Sequence, residues 1–387
     1  MIGRWSGAAL ACAIGFGGLS SEAAAQTALP SAIAITASEA GSIAFSLAGT
    51  LGKAIADRHA VDVQVVPAGN DVARLAPLRK GRAQIAAMGI GAYFAQEGAF
   101  EFAARGWGPQ PLRLILAARD CSAISLGVAA DIGVRGIGDL RGRRVGVVIG
   151  SPGLNHSTLA ILGFGGLSPA DVKLVDFTSY GAMWKAMAEG GVDAAMGSSL
   201  SAPVQEAAAS KRGLMFPPTP GADTEGWKRL QDIAPYFMPQ TASCGGGLSP
   251  ERAVELPGYP FPVFVAYANE PAERMRTFAR AMIDGYEANR VQAGAGATGL
   301  ALAQQALKWV IPFHEGAVEA LRQTGMWTDQ QEAHNRMLLR RQAALAVAWR
   351  DYIKASDRVT DAVLFLNGWM TARRAALLAE GLDPVLE

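Results

Sequence analysis

Gly81-Arg82-Ala83-Gln84-Ile85-Ala86-Ala87-Met88-Gly89 and Gly190-Gly191-Val192-Asp193-Ala194-Ala195-Met196-Gly197 repeat one another about a hundred residues apart. Each reads as a helix end, a glycine stop and a short buried strand that finishes at small residues. Two occurrences of the same unit predict two lobes of one plan. The glycine- and serine-containing turns at 36–42 and 150–157 echo each other in the same way, as strand-to-helix junctions.

Working outward from the first copy, strands are expected at 32–36, 61–66, 85–88 and 112–118, with helices at 42–58 and 71–80 between them. Around the second copy the strands are 145–149, 172–177 and 192–196, and the helices 157–162, 180–189 and 202–210. Strand and helix alternation of this kind implies largely parallel sheets covered by helices. After residue 210 the texture changes. Pro217, Pro218, Pro220 and Gly221 mark a loop, 225–233 a surface helix, 257–262 a second cluster of breakers, 261–268 a strand and 271–289 a helix opened by proline at its favoured first position. Residues 293–299 read as a surface loop. From 300 onward the chain reads as helix, with 329–354 and 359–380 long and amphipathic.

The 387 residues carry 35 Lys plus Arg against 34 Asp plus Glu, a net charge of +1, which argues against a general nucleic-acid binder. Half the residues are apolar and 18% are charged, so the chain is not intrinsically disordered. Arg4 precedes an apolar run over 7–19, and Ala23 and Ala25 form an A-x-A pattern, so a signal peptide over 1–25, cleaved after Ala25, is expected. The mature protein is then exported and periplasmic. Cleavage removes Cys12 and leaves Cys121 and Cys244, which either pair in the oxidising compartment or stay as two thiols.

Open α/β sheets receive ligands where strand ends lead into helix N-termini. Three turns qualify: Gly41-Ser42, Gly69-Asn70-Asp71 and the run from Gly150 through Ser151, Asn155 and His156 to Ser157. Ser42, Asp71 and Ser157 also suit simple helix capping. Arg74, one turn into its helix, is placed either to clamp a ligand carboxylate or to face solvent. No GxSxG elbow, Walker loop, HExxH motif or metal-ligand histidine spacing occurs in the sequence, so neither an enzyme nor a metal or other cofactor is indicated.

The segment 41–49 (Gly-Ser-Ile-Ala-Phe-Ser-Leu-Ala-Gly), the following Gly81-Arg82-Ala83-Gln84, and the runs 139–147, 167–173 and 311–317 resemble the TAXI family of solute-binding proteins of TRAP transporters. The resemblance covers about residues 30 to 327. It implies a type II periplasmic-binding-protein fold: two α/β lobes around a cleft, closing on one small solute, here with a C-terminal helical extension. The expected division is 26–121 for the first part of lobe 1, 122–243 for lobe 2, 244–327 for the return to lobe 1 and 328–387 for the extension. The expected ligand is an organic acid or amino acid, delivered to a membrane permease of TRAP type. Ser42, Phe45, Asp71, Arg74 and Tyr93 would contribute from lobe 1, and Ser151, Asn155, His156 and Ser198 from lobe 2. Ala44, Asp71, Arg74, the run 89–91 and the run 154–156 depart from the family pattern at positions expected to touch ligand. The alternatives are a ligand-binding subunit of a sensor or, further off, an enzyme on the same fold. The two long helices after Trp327 would cover a lobe or form a homodimer interface.

Overall fold

The structure, a computed structural model, describes residues 1–3, 29–38, 40, 42–149, 151–289 and 305–386. Residues 4–25 of the expected signal peptide, its cleavage point, Gly41, Gly150 and the 293–299 loop lie outside the described residues.

Two five-stranded sheets organise the described chain. The first has the order β2-β1-β3-β12-β4, from β1 (Ala32–Ala37), β2 (Asp62–Pro67), β3 (Ile85–Met88), β4 (Leu112–Ala117) and β12 (Val263–Tyr267). The second has the order β7-β6-β8-β5-β9, from β5 (Ile124–Ala129), β6 (Arg144–Val148), β7 (Lys173–Phe177), β8 (Ala194–Ser198) and β9 (Leu214–Met215). In each sheet the first strand of the unit lies parallel between its two successors. The next strand is antiparallel, and it is the one the chain makes on arriving from the other lobe: β5 on β8, and β12 on β3 and β4. The sheets are therefore largely parallel, as expected, each with one reversed strand, β12 in the first and β5 in the second. This doubled, twice-crossed topology is that of a type II periplasmic binding protein.

Local sequence explains the elements. Helix α1 (Ile43–His59) starts where Ser42 Oγ accepts the Phe45 N–H at 3.1 Å. Helix α2 (Asp71–Arg79) starts at Asn70, whose Oδ1 accepts the Ala73 N–H at 2.8 Å. The repeated glycine stops have one physical cause. Gly81 (φ +66°) follows α2, and Gly190 (φ +85°) follows the later helix Tyr180–Glu189. Both take the left-handed backbone that turns the chain into the next buried strand. Between them, Gly91–Glu97 forms α3, and Pro152–Phe164 forms α4, which begins five residues earlier than its sequence pattern suggested because Pro152 occupies the first turn. The helix Tyr180–Glu189 is α5, Ala202–Ala209 α6 and Thr224–Ile233 α7.

The two crossings run side by side. Met238–Ala242 (β10) and Val254–Gly258 (β11) form an antiparallel ribbon, so the chain rejoins the first sheet only at Val263. Gln240 Nε2 donates to the carbonyls of Asp120 and Ser122 at 2.8 and 2.9 Å. Cys121 and Cys244 form a disulfide with Cα atoms 5.4 Å apart, stapling the outgoing crossing to the returning one.

Ala272–Asn289 forms α8. Residues 305–314 contain no helix, contrary to the all-helical expectation: Ala306 N–H and His314 N–H bond to the carbonyls of Ala117 and Leu114, extending β4's pairing instead. Helix α9 (Glu315–Gln323) leads to α10 (Asp329–Ala355) and α11 (Ala362–Ala379), which cover the first lobe. Their anchor is α3. Glu97, fully buried at its end, takes a two-pronged ion pair from Arg341 Nε and Nη2, both 2.8 Å, and a second from Arg373, also fully buried. Gln342 Nε2 donates to Gln96 Oε1 at 2.7 Å, and the Trp369 indole N–H to the Gly98 carbonyl at 2.7 Å. Arg341 and Arg373 also donate to the carbonyls of Asp383, Pro384 and Val385, tying down the segment that follows α11.

Candidate functional site

A cavity of about 220 Å³ lies where the carboxyl ends of both sheets meet the crossings. Lobe 1 contributes Ile90, at the entry to α3. Lobe 2 contributes Gly153, Leu154 and Ser157 from the start of α4, Tyr180 from the start of α5, and Met196, Gly197 and Ser198 from the end of β8. Ile124 at the start of β5 belongs to lobe 2 as well, and the returning crossing adds Tyr259 and Phe261. The lobes touch beside the cavity: a methyl placed on Gly153 would stand 3.1 Å from Ile90 Cγ2 and 3.3 Å from the Phe94 ring. The Phe94 and His156 rings meet edge-on with centroids 5.6 Å apart.

The polar groups of this cavity are hydroxyls. Tyr180 Oη lies 2.8 Å from Ser201 Oγ, and Ser157 Oγ lies 3.0 Å from Tyr236 Oη. Ser198 Oγ accepts the Leu200 N–H at 3.4 Å, a long bond that leaves it free to serve a ligand. Burial pushes the Tyr180 and Tyr259 hydroxyls upward from the usual phenol range, and the Asp71 carboxylate adds to this at Tyr259.

Of the residues expected from sequence, Ser198 lines this cavity. Ser42 caps α1, and Phe45, half-buried, packs on the first core. Asp71 and Arg74 form an ion pair one turn apart on α2, and Arg74 Nη1 donates to Ser38 Oγ at 3.3 Å and the Ala68 carbonyl at 3.2 Å. Tyr93 is buried on the other side of α3, where it borders a cavity shared with Arg341 and the segment 382–385. Ser151 is the residue before α4 and makes no side-chain cap. Asn155 holds both the N–H and the carbonyl of Val148, at 2.9 and 2.8 Å, which fixes the end of β6 to the first turn of α4. His156 turns to the same side as Tyr93: its Nδ1 lies 3.0 Å from Tyr236 Oη, and it borders a cavity of about 300 Å³ with Asp232 and 383–386.

Tyr180, Tyr259, Phe261 and Ile124 were not anticipated. The usable signal was two aromatic side chains within the breaker cluster 257–262, where a purely connecting loop would be polar.

Burial pushes the His156 imidazole down to about 4, so it is neutral at physiological pH. An unfolded chain, whose histidine titrates near 6.5, takes up that proton more readily, so His156 costs stability as pH falls from about 6.5 toward 4. NMR of the imidazole should show a midpoint below pH 5. A midpoint near 6.5 would mean that the ring is solvated.

Residues 35–325 match the NMT1-like family, and the chain belongs to it. No curated protein sequence matches. Similar solved structures include the second substrate-binding domain of GlnP from Lactococcus lactis in an open conformation, 11% identical, covering 71% of this chain and 98% of that one with a TM-score of 0.39. The alkanesulfonate-binding protein SsuA from Xanthomonas axonopodis pv. citri, bound to MOPS, is 17% identical over 79% of this chain and 95% of its own, with a TM-score of 0.41. The periplasmic aliphatic sulphonate-binding protein SsuA from Escherichia coli is 17% identical over 84% of each chain, with a TM-score of 0.40.

Proposed function

We propose that this member of the NMT1-like family is an exported solute-binding protein without catalytic activity, which closes its two lobes on one small molecule and delivers it to a membrane permease. The observation that carries this reading is the shared cavity: both lobes and the returning crossing supply its walls, so a solute there is gripped by groups that separate when the lobes open. Among the described residues no helix is long and apolar enough to cross a membrane. None of their His, Cys, Asp and Glu side chains gather in threes to hold a metal ion.

The site residues in this reading are Tyr180, Ser198, Tyr259 and the apolar walls. Ser42, Asn155 and the Asp71–Arg74 pair hold the turns around them. A carboxylate solute clamped by Arg74 would require that guanidinium to leave Asp71, Ser38 and Ala68.

A permease of TRAP type is the partner suggested by the sequence motifs, and a fused TRAP permease encoded beside this gene would support it; a membrane kinase there would favour a sensor. A homodimer through the C-terminal helices would use Val363 and Leu364, each about two-thirds exposed on α11. Equilibrating the protein with a metabolite extract tests the function itself, because a binding protein carries one small molecule per chain through desalting.

A further inference from the structure

We propose that the solute is an uncharged, ring-sized molecule with one or two hydrogen-bonding groups, an inference that rests on the cavity being the solute site. Among the described residues, the lining contains no charged side chain. Its walls are aliphatic and aromatic, from Ile90, Ile124, Leu154, Met196, Tyr259 and Phe261, and its polar atoms are hydroxyls and the backbone of the first turn of α4.

Magnitudes decide against a carboxylate. The first-turn amides of α4 and their dipole favour an anion by a few tens of fold at most. An ionised group buried with no counter-ion loses on the order of a thousandfold or more. Arg74 is the cation the sequence offered, but it is outside the lining and already neutralises Asp71.

Size sets the other limit. An apolar cavity of about 150 Å³ holds benzene, and the 220 Å³ here leaves room for one ring and a small substituent. Its walls are closely packed from behind. A methyl on Gly197 would stand 2.6 Å from Tyr180 Oη and 2.7 Å from the Trp184 ring, and one on Gly89 3.1 Å from the Phe261 ring. A ring between Phe261, Tyr259 and Leu154 can place its substituent toward Ser198 and Tyr180.

Matched probes of one shape and two charges test this. Benzamide against benzoate, and nicotinamide against nicotinate, are titrated calorimetrically into the full exported protein at pH 7.5, and into Leu154→Trp and Ser198→Leu, which fill the cavity from two sides. The expected result is at least tenfold tighter binding of each amide than of its acid, lost in whichever filled variants melt cooperatively. Equal or tighter binding of the acids, lost in the filled variants, would overturn the uncharged class and leave the cavity as the solute site. Binding that persists in the filled variants would overturn the cavity reading as well. Failure of all four probes to bind at millimolar concentration would overturn the ring-sized class.

Discussion

Glu97→Gln should destabilise the protein by about 3 to 5 kcal/mol, the usual cost of removing one partner from a buried ion pair. The substitution keeps size and shape but leaves Arg341 and Arg373 facing a neutral amide in a site from which water is excluded. Because the same arginines hold the carbonyls of Asp383, Pro384 and Val385, the loss should reach the packing of α10, α11 and the segment after them. Burial alone would raise the Glu97 carboxyl. The two arginines outweigh it and hold the group down to about 2. A carboxylate depressed in the folded state stabilises fully above its unfolded value near 4.5, and that stabilisation is lost as pH falls from there through about 2. Urea unfolding of wild type and Glu97→Gln at pH 7 and pH 3 measures both effects: the gap between them should narrow at the lower pH. A difference below about 1 kcal/mol at pH 7 would show that the extension is not anchored through this triad.

The second large effect belongs to the disulfide. Cys121 and Cys244 are 123 residues apart in sequence, so the cross-link closes a loop that contains the whole second sheet. Constraining a loop of that length in the unfolded chain is worth about 4 to 5 kcal/mol in the chain-entropy treatment. Reduction, or the paired change Cys121→Ala with Cys244→Ala, should lower Tm by roughly 5 to 10 °C. The crossings keep other ties, including Gln240 to Asp120 and Ser122, and the Ser199 hydroxyl, which accepts the Ala123 N–H and donates to the Cys244 carbonyl at 2.7 Å. The reduced protein should therefore fold with its two lobes intact. Calorimetry with and without reductant decides the matter, and an unchanged Tm would mean that these hydrogen bonds already restrain the crossings.

The lobes were legible because their signals are local. The glycine stops at Gly81 and Gly190, the Ser42 cap and the short apolar runs each depend on a few neighbouring residues, whereas the expected caps Asp71 and Ser157 fall inside their helices, Asn70 capping the first. What escaped was non-local. Strand β5, Ile-Ser-Leu-Gly-Val-Ala, is buried on both faces and so shows no alternation, and β10 and β11 contain prolines that an isolated ribbon tolerates but a central strand does not. The antiparallel placement of β5 and β12 follows from the chain changing lobes, which no window of sequence displays.

For the site, the loops were legible and the roles of their side chains less so. Asp71 and Arg74 are three apart on one helix, a spacing that already allows them to satisfy each other. Asn155 follows a strand end closely enough to reach back to Val148. The cavity instead takes two of its three rings from the returning crossing, whose position between lobes is fixed only once both sheets exist.

In this account a small solute occupies the cavity between the lobes. The most direct test is to equilibrate wild type and Leu154→Trp with a small-molecule extract, desalt both, and weigh them by native mass spectrometry before and after unfolding. One small molecule per chain, released on unfolding from wild type and absent from folded Leu154→Trp, is the predicted result. Retention of the same molecule by both proteins, or by neither, would contradict it.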